Sequence, residues 1–355
     1  MDKRAKDGTL TFELVKLAIP ILEEAERRTP RTGPGAKPLI PDWLMAALIM
    51  IALLHKKKTK SAQFRFLTEH REEVGQWLGR RDFPSRATYF RRYRCAHRLY
   101  REAVRVQGEQ AILEGIVDPQ HVVVDKSLIE ALGPPWRARD RVRGKVRPGV
   151  DVESSWGYSE HDGWVHGFSF EVVVSATRNS LVFPLLASVA PASVSEMRTF
   201  ADKIDQLPSE TCTVSADSGY DANRLGEQVE YDAQGQRTGR RFLCPENPRH
   251  GSRPKTKPCA ADASRAQSRQ RRAERKKYFQ SRAGRRIYRR RSKTVEPFNQ
   301  WFKSLFELEG RVWHRGLNNN QTQILGAMFA YQLLVRYNHR RGNENGCIRW
   351  ILDAL

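Results

Sequence analysis

The sequence predicts an α+β protein: a mixed sheet flanked by helices, behind an all-helical N-terminal region. Three observations predict it. Apolar residues keep helical spacing to about residue 118, and from 119 the period shortens to that of strands. A strongly basic stretch then separates the last strand from two late helices, one with an apolar stripe and one apolar nearly throughout.

The N-terminal region opens with Leu10, Phe12, Leu14, Val15, Leu17, Ile19 and Leu22, spaced mainly for one helix face. Thr29, Pro30 and the Gly/Pro-rich stretch 33–41 end that element. Asp42 is placed to cap a helix over 43–54. Farther on, Ser85 follows Asp82, Phe83 and Pro84 and is placed to cap a helix through Thr88, Tyr89, Phe90 and Tyr93. That helix and its continuation carry Arg86, Arg91, Arg92, Arg94, Arg98 and Arg101. It reads either as a helix laid on DNA, with Arg91, Arg92 and Arg94 on phosphates, or as a solvated basic face.

In the second part, Val122, Val123 and Val124 end in Asp125, as a central strand buried on both faces would. Residues 133–160 read as a long loop. Alternation over 164–174 gives a second strand and 181–190 a third; 195–207 looks helical, and 211–217 is a fourth strand. A helix from about 222 and a short fifth strand at 241–245 follow. Val295, Phe298, Phe302, Leu305 and Phe306 form a helical stripe, and an apolar helix over 321–337 closes the fold.

Charge indicates the partner. The chain has 355 residues, 62 Lys and Arg against 40 Asp and Glu, and a net charge of +22. Between 249 and 293 there are 18 basic residues and two acids, Asp262 and Glu274. An excess of this kind favours a polyanion, nucleic acid or an acidic membrane. The longest apolar run, 43–54, is too short to span a bilayer, which needs about 20 apolar residues. The first ten residues offer no apolar secretory segment. Five scattered cysteines without a C-x-x-C pair argue against disulfides and a structural zinc site. A soluble cytoplasmic protein that binds nucleic acid is expected.

Strand, strand, strand, helix, strand, helix, strand, helix is the order of an RNase H-like nucleotidyl-transfer core. In such a core, carboxylates from the first strand, the fourth strand and a late helix converge on divalent metal. Phosphodiester chemistry needs an activated nucleophile, neutralised phosphate charge and a stabilised leaving oxygen, all of which two hard cations supply. Mg²⁺ keeps several waters, so one or two carboxylates per ion suffice. Asp125 is read as one ligand, because a charge after three valines is costly if buried unpaired. Asp217 is read as the second and Asp221 as a helix cap or structural residue, although either could cap. Glu296, with Ser292 or Thr294 as N-cap and Pro297 in the first turn, shares a helix face with Lys303 that points away from the core. Spacing alone does not separate a metal ligand there from an amphipathic surface.

Tyr288, Arg291, Glu296 and Lys303 together resemble the Tyr, Arg, Glu, Lys signature of bacterial insertion-sequence DDE transposases. The run from Ala216 through Asp217, Ser218, Gly219 and Tyr220 to Asp221 is similar to the second-aspartate motif of that family, and Val124, Asp125, Lys126 and Ser127 to its first. Trp156, Gly157 and Tyr158, followed by Gly167 and Phe168, resemble its approach to the second strand. Ser218 stands where lysine is common. Four residues, not three, separate Arg291 from Glu296, which leaves Arg289 and Arg290 as alternatives for that arginine.

The resemblance, over about 84–340, implies a transposase with Asp125, Asp217 and Glu296 as catalytic metal ligands for Mg²⁺, with Mn²⁺ a substitute. Tyr288, Arg291 and Lys303 would contact transposon-end DNA. The expected organisation is a helical DNA-binding region at 1–118 and a catalytic core at 119–245 and 287–345. Between its halves lies a basic insertion at 246–286, DNA-contacting through residues such as Arg285 and Arg286 and partly disordered without DNA. Transposon-end DNA, target DNA and a second copy in a synaptic complex are the expected partners. A non-enzymatic DNA-binding protein would need the basic segments alone, and a nuclease on the same fold would cut without joining.

Overall fold

The computed structural model describes residues 3–29, 38–137, 139–140, 146–178, 180–247, 263–343 and 346–355. Six helices come first: α1 (Lys3–Arg28), α2 (Asp42–Leu54), α3 (Lys60–Glu69), α4 (Arg71–Leu78), α5 (Arg86–Tyr93) and α6 (His97–Leu113). Every α2 residue after Asp42 is buried, as a helix apolar on all sides requires. Each large side chain so placed contributes about 1.5–3 kcal/mol relative to exposure. Ser85 caps α5, its hydroxyl accepting from the Thr88 N–H at 3.2 Å. Asp42 does not cap α2 but begins it; its carboxylate is drawn to Arg92 at 2.5 Å. Arg92 also donates to the Ile40 carbonyl, so α5 is fastened to the start of α2.

The sheet has six strands: β1 (His121–Glu130), β2 (Ser155–Ser159), β3 (Gly163–Ser175), β4 (Pro184–Pro191), β5 (Thr213–Ser215) and β6 (Arg241–Leu243). The β1–β3 pair is antiparallel, with Asp125 opposite Val172 and Lys126 opposite Glu171. On its other side β1 runs parallel to β5, and β5 parallel to β6. The far edge of β3 is long enough for two partners: β2 pairs with its first residues and β4 with the rest. Without β2, the order β4-β3-β1-β5-β6 is the RNase H-like mixed sheet that the element order predicts.

Strand β2 falls inside the stretch read as a loop. Among its five residues only Gly157 is buried, so it carries no apolar alternation to read. Gly157 lies against β4's end, where a Cβ would stand 2.8 Å from the Ala192 carbonyl oxygen.

The remaining helices are α7 (Glu196–Ala201), α8 (Asn223–Glu230), α9 (Ala263–Gln280), α10 (Arg282–Tyr288), α11 (Arg291–Leu305), α12 (Leu317–Arg340) and α13 (Arg349–Asp353). The helix expected over 195–207 is α7 followed by a 3-10 turn, Ile204–Gln206. Residues 248–262 of the basic insertion lie outside the described residues. The rest of it forms α9 and most of α10, with α9 against α8 and β6. Part of its charge serves the fold: Arg272 pairs with Asp221 at 2.9 Å, Arg275 is buried with Glu230 at 3.5 Å, and Arg271 lies 3.7 Å over the Tyr231 ring.

Helix α11 begins at Arg291, earlier than a Ser292 or Thr294 cap would allow, and Pro297 lies inside it. Both hydroxyls instead bond backwards, to the Arg289 and Arg290 carbonyls. The reason is the junction with α10. Arg289 and Arg290 both keep helical dihedrals, so no extended residue stands there to cap.

One hydrophobic core runs from the N-terminal helices through the sheet to α12. Buried polar pins set the depth of α12: Thr322 donates to the Tyr93 carbonyl at 2.7 Å, and Gln332 to the Val104 and Pro184 carbonyls at 2.8 Å each. Phe302, fully buried, packs against Phe170 of β3, Phe298 and Tyr331. We expect Phe302→Ala to destabilise the protein by about 3–5 kcal/mol in urea denaturation, as deletion of a buried aromatic ring does. No helix among the described residues is long and apolar enough to cross a membrane. Among the described residues no disulfide links Cys95, Cys212 and Cys244; Cys259 lies outside the described residues.

Candidate active site

Parallel pairing brings the first two acids together. Val123 is the partner of Ser215 across β1 and β5, so two residues farther on Asp125 comes level with Asp217. Asp125 is 8% exposed, behind three buried valines. Asp217 stands where β5 has ended and a 3-10 turn, Ser218–Tyr220, begins. Its Oδ1 accepts from the Gly219 N–H at 2.8 Å, and its carbonyl accepts from the Tyr220 N–H at 3.2 Å and the Cys244 Sγ–H at 2.9 Å. Capping therefore falls to one oxygen of Asp217. Asp221 accepts from the Asn247 N–H and pairs with Arg272.

Helix α11 supplies the rest. Its sheet-facing side is Val295, Phe298, Asn299 and Phe302, all buried. Arg291 and Asn299 are eight residues apart and so share a face. Both reach Asp125: Arg291 Nη2 donates to Oδ1 at 2.7 Å and Asn299 Nδ2 to Oδ2 at 2.8 Å. Arg291 Nη2 is also 3.7 Å from Asp217 Oδ2, and its Nη1 is 3.0 Å from Glu296 Oε1. One guanidinium thus touches all three acids. Of Arg289, Arg290 and Arg291, this is the one seated among them.

Among the described residues no three Asp, Glu, His or Cys side chains form a ready-made metal cage. The three acids instead converge across the Arg291 guanidinium, at a position already shaped for positive charge. Carboxylate oxygens are the donor type that a hard divalent cation such as Mg²⁺ takes, and it needs few protein ligands.

Burial pushes the Asp125 carboxyl up to about 6, with Asp217 and Glu296 adding to the rise and Arg291 opposing it. Glu196, at the start of α7, is pushed up to about 7 by burial and by Asp217, against the pull of Lys126 at 4.0 Å. Lys126 is held in turn by the Ala192 and Val194 carbonyls at 3.0 and 2.9 Å. Glu196 and Asp217 close over Gly219, where a Cβ would overlap Glu196 Oε2 and stand 3.0 Å from Asp217 Oδ1. We expect Gly219→Ala to cost about 1–3 kcal/mol in thermal denaturation by overpacking.

Burial raises Tyr288 to about 12, with Arg291 opposing, so its hydroxyl is a neutral donor at physiological pH. Lys303 does not point away from the core as expected. The face it shares with Glu296 meets solvent at Glu296 but the end of β1 at Lys303, whose Nζ donates to the Leu128 carbonyl at 2.7 Å. Burial lowers its ammonium below the ordinary lysine value, with Asp162 and Asp125 opposing. Arg285 and Arg286 are exposed on α10; Arg91 and Arg94 are exposed at the end of α5, whereas Arg92 is turned into the fold.

Asn299, Glu196 and Lys126 are the contributors to which sequence reasoning gave no role. Asn299 left a trace, a polar residue among the apolar positions 295, 298 and 302. Glu196 left none.

Among curated proteins, none matches the chain in sequence. Among solved structures, the cryo-EM structure of a piggyBac transposase synaptic complex with hairpin DNA is similar over 99% of this chain and 78% of that chain, at 10% identity and a TM-score of 0.40. Residues 115–333, well over half of the chain and inclusive of all three acids and Arg291, match the family model described as the transposase DDE domain, and the chain belongs to that family.

Proposed function

We propose that this transposase, with Mg²⁺ or in its place Mn²⁺, cuts the phosphodiester at a transposon end and transfers the freed 3′-hydroxyl into target DNA. The observation that carries the reading is the meeting of Asp125, Asp217 and Glu296, distant along the chain, around one positive group. These three would hold the divalent cation, which supplies charge neutralisation at the scissile phosphate and a more acidic water or hydroxyl.

The chain's other residues bind and orient the DNA. Tyr288 offers a neutral O–H to a phosphate oxygen. Arg291 offers a two-pronged fork and Lys303 a point charge. Exposed Arg285, Arg286, Arg91 and Arg94 meet phosphates farther along the duplex, and Arg92 holds α5 in place for them. Water first displaces the element's 3′ oxygen from the scissile phosphorus, leaving a 3′-hydroxyl on the element and a 5′-phosphate on the flanking DNA; that hydroxyl then bonds to a target phosphorus as the target P–O3′ bond breaks and frees a target 3′-hydroxyl. Two ends must be handled together, which calls for a homodimer or larger synaptic complex, acting in the cytoplasm on nucleoid DNA.

The test is an assay with Mg²⁺, end DNA and target DNA. Glu296→Gln should lower cutting and joining at least about a hundredfold, a loss of roughly 2.7 kcal/mol of barrier stabilisation, while end binding persists. A variant as active as the unmodified protein removes Glu296 from the triad. Cutting without joining identifies a nuclease, and binding with no cutting by the unmodified protein a repressor.

A further inference from the structure

We infer that Glu171 and Tyr220 are positioning residues for Asp217: a buried hydrogen bond between them fixes the turn that aims its carboxylate at the cation and the scissile phosphate. The inference rests on the function proposed above and adds two residues that touch neither substrate nor metal.

Glu171 lies in the middle of β3, 2% exposed, on the sheet face opposite Asp125, since its neighbour Val172 is the one level with Asp125. Three donors converge on its carboxylate: Lys203 Nζ at 2.6 Å, the Thr199 hydroxyl at 2.6 Å and the Tyr220 hydroxyl at 2.9 Å. Lys203 is itself buried and supplies the balancing charge. The tyrosine bond is therefore not needed for neutrality, and its consequence is positional. Tyr220 is fully buried, and burial holds its ionisation well above the ordinary value, so it donates at any working pH.

The turn has little to hold itself. It is one 3-10 turn, with backbone bonds of 3.2 Å from Tyr220 N to the Asp217 carbonyl and from Asp221 N to the Ser218 carbonyl. Its place is set from outside: the Cys244 thiol on the Asp217 carbonyl, the Phe200 ring edge-on to Tyr220 at 6.0 Å, and Glu171 on the Tyr220 hydroxyl. Because Thr199 and Lys203 flank the end of α7, the same carboxylate ties this turn to the helix that begins with Glu196. A shift of a few tenths of an ångström at Tyr220 is passed to Asp217 three residues earlier, and ligand geometry tolerates little such error.

Mn²⁺ alone, titrated into the full-length protein by calorimetry, tests this in a double-mutant cycle. Tyr220→Phe keeps the ring and removes only the hydroxyl; it should weaken Mn²⁺ binding about tenfold, typical for loss of an outer partner of a metal ligand. In an Asp217→Asn background the same change should do nothing further, because its route is through Asp217. Glu171→Gln should reproduce the loss if it folds, and Tyr220→Phe keeps the inference open to refutation if it does not. Unchanged Mn²⁺ binding by Tyr220→Phe beside a weakened Asp217→Asn overturns this inference alone. An equal loss in both backgrounds, or a lowered melting temperature with no change in affinity, makes the bond structural and overturns it too. Mn²⁺ binding unaffected by Asp217→Asn overturns the metal reading and this inference with it.

Discussion

Asp125→Asn should abolish Mg²⁺-dependent end cleavage and at the same time make the protein more stable at neutral pH. The first half follows from the site. Asp125 is the most buried of the three acids and is level with Asp217 across paired strands. On the function proposed above, losing Asp125 as an anionic ligand should remove roughly 4 kcal/mol of transition-state stabilisation, or ~10³ in rate. The second half follows from the direction of its titration. The carboxyl titrates near 6 in the fold against an ordinary 3.8. Between those values the folded protein binds more protons than the unfolded chain, so stability falls as pH rises through this window, and the penalty is complete above 6. A neutral amide escapes it.

The gain at pH 7.5 should be about 1–3 kcal/mol, reduced by the weaker bond a neutral side chain makes with Arg291. Below pH 4 it should vanish. The amide also fits: among the described residues Asn299 Oδ1 meets no hydrogen-bond donor, so rotating its carboxamide turns an acceptor to the new N–H. Urea denaturation of both proteins at pH 4 and 7.5 checks the sign. A variant less stable at pH 7.5 than at pH 4, relative to the unmodified protein, would show that Asp125 is carried as a well-paired structural anion.

How much of this was legible in the sequence depends on where each residue's determinants lie. Asp125 and Asp217 stood out because each closes a short apolar run in the sequence, where a charge is a local anomaly, although β1 runs on past Asp125 to Glu130. The mixed sheet followed from the order of elements, with β2 lost because a strand buried at a single glycine has no apolar period. Glu296 and Lys303 were correctly put on one helix face. Whether that face meets water or β1 is set by how α11 lies on the sheet, and spacing carries no information about that. The start of α11 went astray because Ser and Thr near a proline signal a cap, whereas α10 already held that backbone helical. Asn299, Glu196 and the Glu171–Tyr220 bond depend on pairing between segments far apart in sequence. Arg92 shows the converse: a basic helix face was legible, but not that one of its arginines would turn inward to Asp42.

Arg291→Ala is the sharpest test of the arrangement, because it removes the group that, among the described residues, touches all three acids. Arg291 and Asp125 are largely buried, with side chains 16% and 11% exposed, so leaving Asp125 without its counter-charge should cost about 3–5 kcal/mol in chemical denaturation with EDTA present. The Glu296 contact adds little, since that side chain is 53% exposed and screened by solvent. Mn²⁺ should return much of the loss, because a ligand that binds only the folded state stabilises it as RT ln(1 + [L]/Kd). The Mn²⁺-induced rise in denaturation midpoint should therefore be larger in Arg291→Ala than in the unmodified protein. Arg291→Lys keeps the charge but not the fork, so it can satisfy Asp125 or Glu296 but not both, and should fall between the two. Arg289→Ala and Arg290→Ala should leave the Mn²⁺ response close to that of the unmodified protein, which separates Arg291 from the alternatives that spacing left open. If Arg291→Ala is destabilised and Mn²⁺ restores none of it, the three carboxylates surround an arginine for the sake of the fold and do not share a cation.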